Sequence, residues 1–232
     1  MLFVFFSFSS KTLAASWYYP MDKISERATL KGFGTLANDA FYKGRENLFP
    51  TKFYGYHAGQ DLESLSSEKA DSVLVPFYAV TDGTIIYIGT LKGYGGVILE
   101  RLDDGQHVAL YGHIKIPNNL NINNRIKAGD LISYLGNNFS IETSGERKHL
   151  HFAIHKGTDE YFHGHEPNVS ILNSQWEDPI LFLKNLGAIE PGSKSSPVTS
   201  SSNLSNTNNL LQKKNQSFLS WIIEFFKKLL GR

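Results

Sequence analysis

Three short stretches carry side chains able to do chemistry. In "KHLHFAIHK", Lys148 to Lys156, three of the chain's 8 histidines fall on odd-numbered positions. A β-strand points successive side chains to opposite faces, so His149, His151 and His155 share one face while Leu150, Phe152 and Ile154 share the other. One face suits a core and the other suits chemistry. "YHAGQD" supplies His57 and Asp61 with Gly59 between them. A spacing of four fits one face of a helix, but the internal glycine and the preceding "FYGY" point instead to a strand end or tight loop. In "HVALYGHI", a strand would align His107, Ala109, Tyr111 and His113 opposite Val108 and Leu110.

A catalytic zinc site takes three nitrogen or oxygen ligands from the protein and keeps its fourth position for water, whose pKa falls to about 7 on binding. Two histidines and one carboxylate meet that need. Neighbouring histidines can take a proton from water, stabilise an oxyanion and protonate a leaving amine near neutral pH. His57, Asp61, His113, His149 and His151 would supply ligands and helpers together. A further H-x-H pair, His163 and His165 in "HGH", has the same spacing but sits in a loop-like Gly/Pro/Glu segment. Spacing alone does not separate the two pairs. The chain contains no H-E-x-x-H, no Walker-type phosphate loop and no G-x-S-x-G.

Composition narrows the chemistry further. There are no cysteines, which excludes a disulfide framework and a thiolate zinc site and leaves His, Asp and Glu as metal ligands. A formal net charge of +1 argues against a nucleic-acid partner, since such proteins carry a marked basic excess. With 41% hydrophobic and 13% aromatic residues in 232, the chain can bury a substantial core.

The elements that must hold these residues read as closely spaced strands. "SVLVPFYAV", "TIIYIG", "GGVILERL", "HVALYGHI" and "LISYLG" are apolar or β-branched runs separated by Asp82-Gly83, Asp104-Gly105 and "KAGD" turn signals. Little helical periodicity lies between them, which predicts an all-β, antiparallel sandwich or barrel. The ends differ from this body. Residues 1–16 hold a short apolar run, Leu2 to Phe8, followed by the small residues Ala14, Ala15 and Ser16, the layout of a secretory signal without its usual cationic start. This predicts export to the periplasm or cell envelope. The folded domain is expected over 17–186, followed by a Ser/Asn-rich flexible linker over 187–215. In residues 216–232, Phe218, Trp221, Ile222, Phe225 and Leu229 recur at helical spacing. That C-terminal amphipathic helix is too short to span a bilayer, and suits either peripheral contact with a membrane surface or docking on protein.

In this order and at these intervals, "HAGQD", "YGHI", "KAGDLISYLGN" and "HLHFAI" resemble the M23 family of zinc metallopeptidases, the lysostaphin-type peptidoglycan endopeptidases. "AVTDGTIIYIGTLKGYGGVILE" and "DPILFL" extend the likeness from about Phe33 to Leu183. The resemblance implies the family's compact antiparallel fold with the site in a groove, and one zinc ion per domain. It further implies that His57, Asp61 and His151 are the zinc ligands and that His113 and His149 are catalytic. His107, His155, His163 and His165 receive no role from it. The implied substrate is a peptide bond in the stem or cross-link of peptidoglycan. The implied alternative is a non-hydrolytic relative that binds and activates a cell-wall amidase. Two stretches depart from the family pattern, "SGERKH" before His149 and the acidic, Ser-rich run from Asp61 to Asp71, and both are expected to line the groove and bear on substrate preference.

Overall fold

The histidine-bearing stretch lies inside an antiparallel sheet. The computed structural model describes residues 16–193. The N-terminal apolar run, the linker beyond Ser193 and the C-terminal amphipathic segment lie outside the described residues. The strands are β1 (Leu36–Ala37), β2 (Gly55–His57), β3 (Gln60–Glu63), β4 (Pro76–Tyr78), β5 (Gly83–Leu91) and β6 (Gly95–Leu102). They continue with β7 (His107–Gly112), β8 (Arg125–Ile126), β9 (Leu131–Tyr134), β10 (His149–Lys156), β11 (His165–Glu166) and β12 (Trp176–Glu177). Three short helices join them: α1 (Asp39–Tyr42), α2 (Val169–Gln175) and α3 (Pro179–Asn185).

The main sheet runs β12-β10-β7-β6-β5-β8, with β3 also paired to β10, and two small sheets, β1-β2-β11 and β4-β9, flank it. The paired strands are antiparallel throughout. This is the all-β antiparallel architecture expected from the strand and turn pattern.

Alternation along β10 divides two cores. Leu150, Phe152 and Ile154 pack with Ile98, Ala109 and Tyr111 in the larger cluster, whereas Ala153 packs with Leu99, Val108, Leu110 and Trp176 in the second. Burial of each large apolar side chain contributes about 1.5–3 kcal/mol. Both faces of β7 are therefore buried, with Ala109 and Tyr111 on one side and Val108 and Leu110 on the other, as the strand alternation predicts, but His113 does not share that face. The strand stops at Gly112, and His113 turns into the left-handed region at φ +64°. The run at 72–80 is likewise shorter than expected. Pro76 lacks a donor, and the flanking backbone bonds loops instead: Leu135 N–H to Val75 O at 2.9 Å and Tyr18 N–H to Val80 O at 2.8 Å.

The start of β10 is fixed by Lys148, only 2% exposed, whose ammonium donates to the carbonyls of Glu68, Ala70 and Val73 at 3.0, 2.9 and 2.6 Å. Three donors meet three acceptors, so a buried cation is satisfied without a carboxylate. At the C-terminal end, order continues past Leu186. Tyr19 N–H and Ile189 N–H bond Ile189 O and Trp17 O, and the Glu190 carboxylate accepts from the Lys23 and Ile24 amides at 3.1 Å each.

Candidate active site

Strand pairing brings the sequence motifs together. Across the β3–β10 ladder His151 faces Asp61, and across β7–β10 it faces Gly112, the residue before His113. His57 ends β2, and Ala58 and Gly59 carry the chain directly into β3. The tight-loop reading of "YHAGQD" holds, and the glycine has a steric cause. A Cβ on Gly59 would lie 2.7 Å from Phe152 O and 2.8 Å from His151 Nε2 and Cε1. Only glycine lets this turn approach the β10 histidine.

Three donor atoms converge there. His57 Nε2 is 3.0 Å from His151 Nδ1 and 3.3 Å from Asp61 Oδ1, and His151 Nδ1 is 3.1 Å from the same oxygen. All three residues are buried, none more than 4% exposed. His57 Nδ1 donates to Gly32 O at 3.2 Å, which leaves Nε2 as a lone pair. Burial pushes His57 down to about 4 against the opposing pull of Asp61, so it is neutral near pH 7, and burial lowers His151 as well. Burial alone would raise Asp61, but the facing His57 and Lys31 outweigh it and hold the carboxyl well below its usual range.

Three acceptors at this separation need a cation among them: a proton on His151 Nδ1 or a metal ion. Ligands about 2.0–2.1 Å from a tetrahedral zinc lie about 3.3 Å from one another, close to the observed triangle. The donor set therefore fits zinc, with Asp61 contributing one oxygen. Its second oxygen, Oδ2, is 3.2 Å from Arg147 Nη2 and 3.8 Å from Lys31 Nζ.

His113 and His149 form the other half of the site, with ring centroids 4.5 Å apart. Each donates Nδ1–H to a backbone carbonyl, His113 to Thr143 at 3.0 Å and His149 to Arg147 at 2.8 Å. Both Nε2 atoms are thereby left as lone pairs, and that of His149 lies 3.5 Å from Asp61 Oδ2. Burial, followed by the neighbouring His149 and His151, holds His113 well below its ordinary range. Its left-handed backbone is secured by His113 N–H to Tyr94 O at 2.9 Å and Gly136 N–H to His113 O at 2.8 Å. Strain of this kind persists only where surrounding bonds over-determine it.

The site opens into a groove of about 490 Å³. Of the two departures singled out in the sequence, only "SGERKH" reaches it, through Glu146 and His149. The run from Asp61 to Asp71 contributes no lining residue and is occupied with structural pairs: Glu63 with Arg147 at 2.6 Å and Glu68 with Arg27 at 2.7 Å. His107 pairs with Asp104 at 2.6 Å, and His155 stacks on Tyr161, both outside the groove. His163 and His165 do line it, and His165 lies opposite His57 on the β2–β11 ladder. Sequence reasoning gave these two no role, it singled out neither Lys31 nor Tyr94, and it reached Glu146 only as part of "SGERKH". For His163 and His165 the H-x-H spacing was the available signal, and only the β2–β11 register places His165 opposite His57.

No curated protein matches the chain. Among solved structures, the catalytic domain of lysostaphin from Staphylococcus simulans aligns with 69% of this chain and 95% of its own length at 22% identity, with a TM-score of 0.47. Lysostaphin of the same organism aligns over 82% of this chain at 21% identity and a TM-score of 0.48, and the present chain spans only 61% of that protein. A zinc-containing peptidase from Vibrio cholerae aligns over 60% of this chain and 36% of its own at 19% identity, with a TM-score of 0.43. The model of peptidase family M23 matches residues 55–163, a span that begins with the strand carrying His57 and takes in Asp61, His113, His149 and His151. That match, over a little under half of the chain, takes in all five side chains around which the antiparallel fold is built, and makes the chain similar to peptidase family M23.

Proposed function

We propose that this chain is a zinc-dependent endopeptidase that hydrolyses peptide bonds in the stem peptides or cross-links of bacterial peptidoglycan. The observation that carries the reading is the donor triangle of His57, Asp61 and His151 beside two histidines whose Nε2 lone pairs are both left free. The match to the model of peptidase family M23 supports it independently.

His57 Nε2, Asp61 Oδ1 and His151 Nδ1 would hold the metal. Zinc in that position supplies Lewis acidity for a peptide carbonyl and makes a bound water acidic near neutral pH. The remaining work falls to the side chains. His149, with Nδ1 bonded to Arg147 O, accepts a proton from the attacking water at Nε2 and gives that proton to the leaving amine, while His113 Nε2 accepts a second hydrogen bond from the same water and orients it. Their Nδ1 bonds to Thr143 O and Arg147 O fix tautomer and ring orientation, so no reorganisation is needed during reaction. Because the Arg147 guanidinium reaches Asp61 while its carbonyl accepts from His149 Nδ1, one residue couples the metal half to the catalytic half.

The proposed setting is the periplasm or cell envelope, reached by way of the N-terminal apolar segment, with the C-terminal amphipathic segment in peripheral contact with a membrane surface. Both rest on sequence pattern alone. The test is digestion of purified peptidoglycan by the full chain, with products identified by mass and His151→Ala run beside it. New peptide ends that disappear with chelator and with the variant are the expected result. Intact peptidoglycan from folded, zinc-loaded protein would sink the hydrolase reading in favour of an amidase regulator.

A further inference from the structure

Three lysines and a single carboxylate line the groove. Lys31 is 8% exposed and lies 3.8 Å from Asp61 Oδ2, while Lys52 and Lys92 are exposed on the wall beyond the metal triad. The two exposed lysines belong to segments in contact. A Cβ on Gly93 would lie 3.2 Å from the Phe53 ring, and that ring stacks at 5.8 Å on His165, beside the ligand His57. Lys52 and Lys92 therefore sit on one wall of one groove, and neither forms an ion pair among the described residues. The lone carboxylate, Glu146, is 4% exposed and lies 3.4 Å from Arg147. It offers little to offset the cationic wall.

Charges of one sign along a low-dielectric cleft concentrate the opposite charge there. From this geometry, and resting on the peptidase reading above, we infer that the groove selects peptides bearing a free carboxylate near the scissile bond, with Lys52 and Lys92 as its specificity-determining residues. A peptide strand laid across the triad meets these lysines at the Phe53 end of the groove. The ammonium groups bind as exposed point charges, which gives a salt-dependent preference rather than a tight, bidentate clamp. A neutral, glycine-only segment gains nothing from this wall.

The carboxylate can come from a side chain or from a peptide C-terminus, and the experiment separates them. Full-chain, zinc-loaded protein is assayed on three synthetic versions of one cross-linked stem peptide: free acid, side-chain amidated and C-terminally amidated. Binding of the same fluorescently labelled peptides is measured in parallel by anisotropy. Amidating the recognised carboxylate should raise KM and Kd about fivefold, as loss of one or two exposed charge pairs predicts. Added salt should erase the difference, and the double variant Lys52→Gln, Lys92→Gln should remove the discrimination between peptides. The amidated peptide that suffers identifies the source. Equal KM for all three peptides would overturn the inference while leaving the peptidase reading intact. A charge preference in binding with no cleavage of any peptide would support the inference and remove the hydrolase. Discrimination that survives in the double variant would overturn the assignment of Lys52 and Lys92.

Discussion

Arg147 Nη2 lies 3.2 Å from Asp61 Oδ2, on the side of the carboxylate away from the two histidines that share Oδ1. One oxygen is thus held by the protein while the other faces the donor triangle, an orientation that would suit Asp61 to one-oxygen ligation. The same guanidinium pairs with Glu63 at 2.6 Å and lies over Phe49, 4.7 Å from the ring centroid. Partners that orient a ligand in this way typically carry 10- to 100-fold in metal affinity. Arg147→Met should weaken zinc binding by about that factor. Because it strands the buried Asp61 carboxylate and the half-buried Glu63, it should also cost about 3 kcal/mol in stability. Arg147→Lys should recover only part of either loss, since an ammonium cannot bridge both carboxylates in a fixed plane. Competition with a chromogenic chelator and thermal unfolding measure the two effects, and an unchanged zinc affinity in Arg147→Met would show that Asp61 does not need this brace.

Metal retention and turnover should separate by residue. His57→Ala and Asp61→Ala remove corners of the donor triangle and are expected to lose both zinc and activity. His113→Ala and His149→Ala leave the triangle whole, so zinc stoichiometry near one should persist while kcat falls about 10²- to 10⁴-fold. Metal analysis of the purified variants beside the peptidoglycan assay reads both. A digestion rate in His149→Ala equal to the parent's would remove that histidine from the chemistry.

Gly59 offers a test of the turn itself. A methyl group there would come within 2.7–2.8 Å of Phe152 O and the His151 ring, and the backbone oxygen cannot yield as a flexible side chain can. Gly59→Ala should cost about 1–3 kcal/mol, in the range of overpacked sites, and should displace His151 from the triangle so that zinc affinity falls too. Loss of stability with full zinc affinity would mean that β10 absorbs the clash elsewhere.

The legibility of the site follows the range of the interactions that build it. Residues 149–156 were readable because alternation is local. A period of two places Leu150, Phe152 and Ile154 on one face whatever lies around them, and these three do share the larger core. The closing turn of "YHAGQD" was readable for the same reason. The placement of His113 was not, because extrapolating the strand alternation carries it past Gly112, whereas its N–H donating to Tyr94 O and its carbonyl accepting from Gly136 N–H turn the backbone there. Lys31 reaches Asp61 from 30 positions upstream, and His165 meets His57 only through the β2–β11 register. No periodicity encodes either contact. Arg147 stood in a stretch marked as a departure from the family, and its charge gave no sign of which carboxylate it would brace.

Glu100 provides a pH signature independent of the metal. It is fully buried on β6, its Oε2 accepts from the Tyr111 hydroxyl at 2.7 Å, and its Oε1 has no partner among the described residues. Burial pushes this carboxyl up to about 8, so it is protonated in the folded protein near neutral pH. The unfolded chain ionises near the ordinary glutamate value of 4.5. A folded-state value above the unfolded one contributes stability that is complete below about pH 4.5 and is lost as pH rises through about 8. At about 1.4 kcal/mol per pH unit, the loss is on the order of 5 kcal/mol across that window. Glu100→Gln keeps the neutral form and cannot ionise, so the variant's stability relative to the parent should rise steadily from pH 5 to pH 8 and then level off. Urea unfolding of both proteins across this range measures the difference. Parallel stability curves would mean that Glu100 is already charged in the fold, held by a partner other than Tyr111.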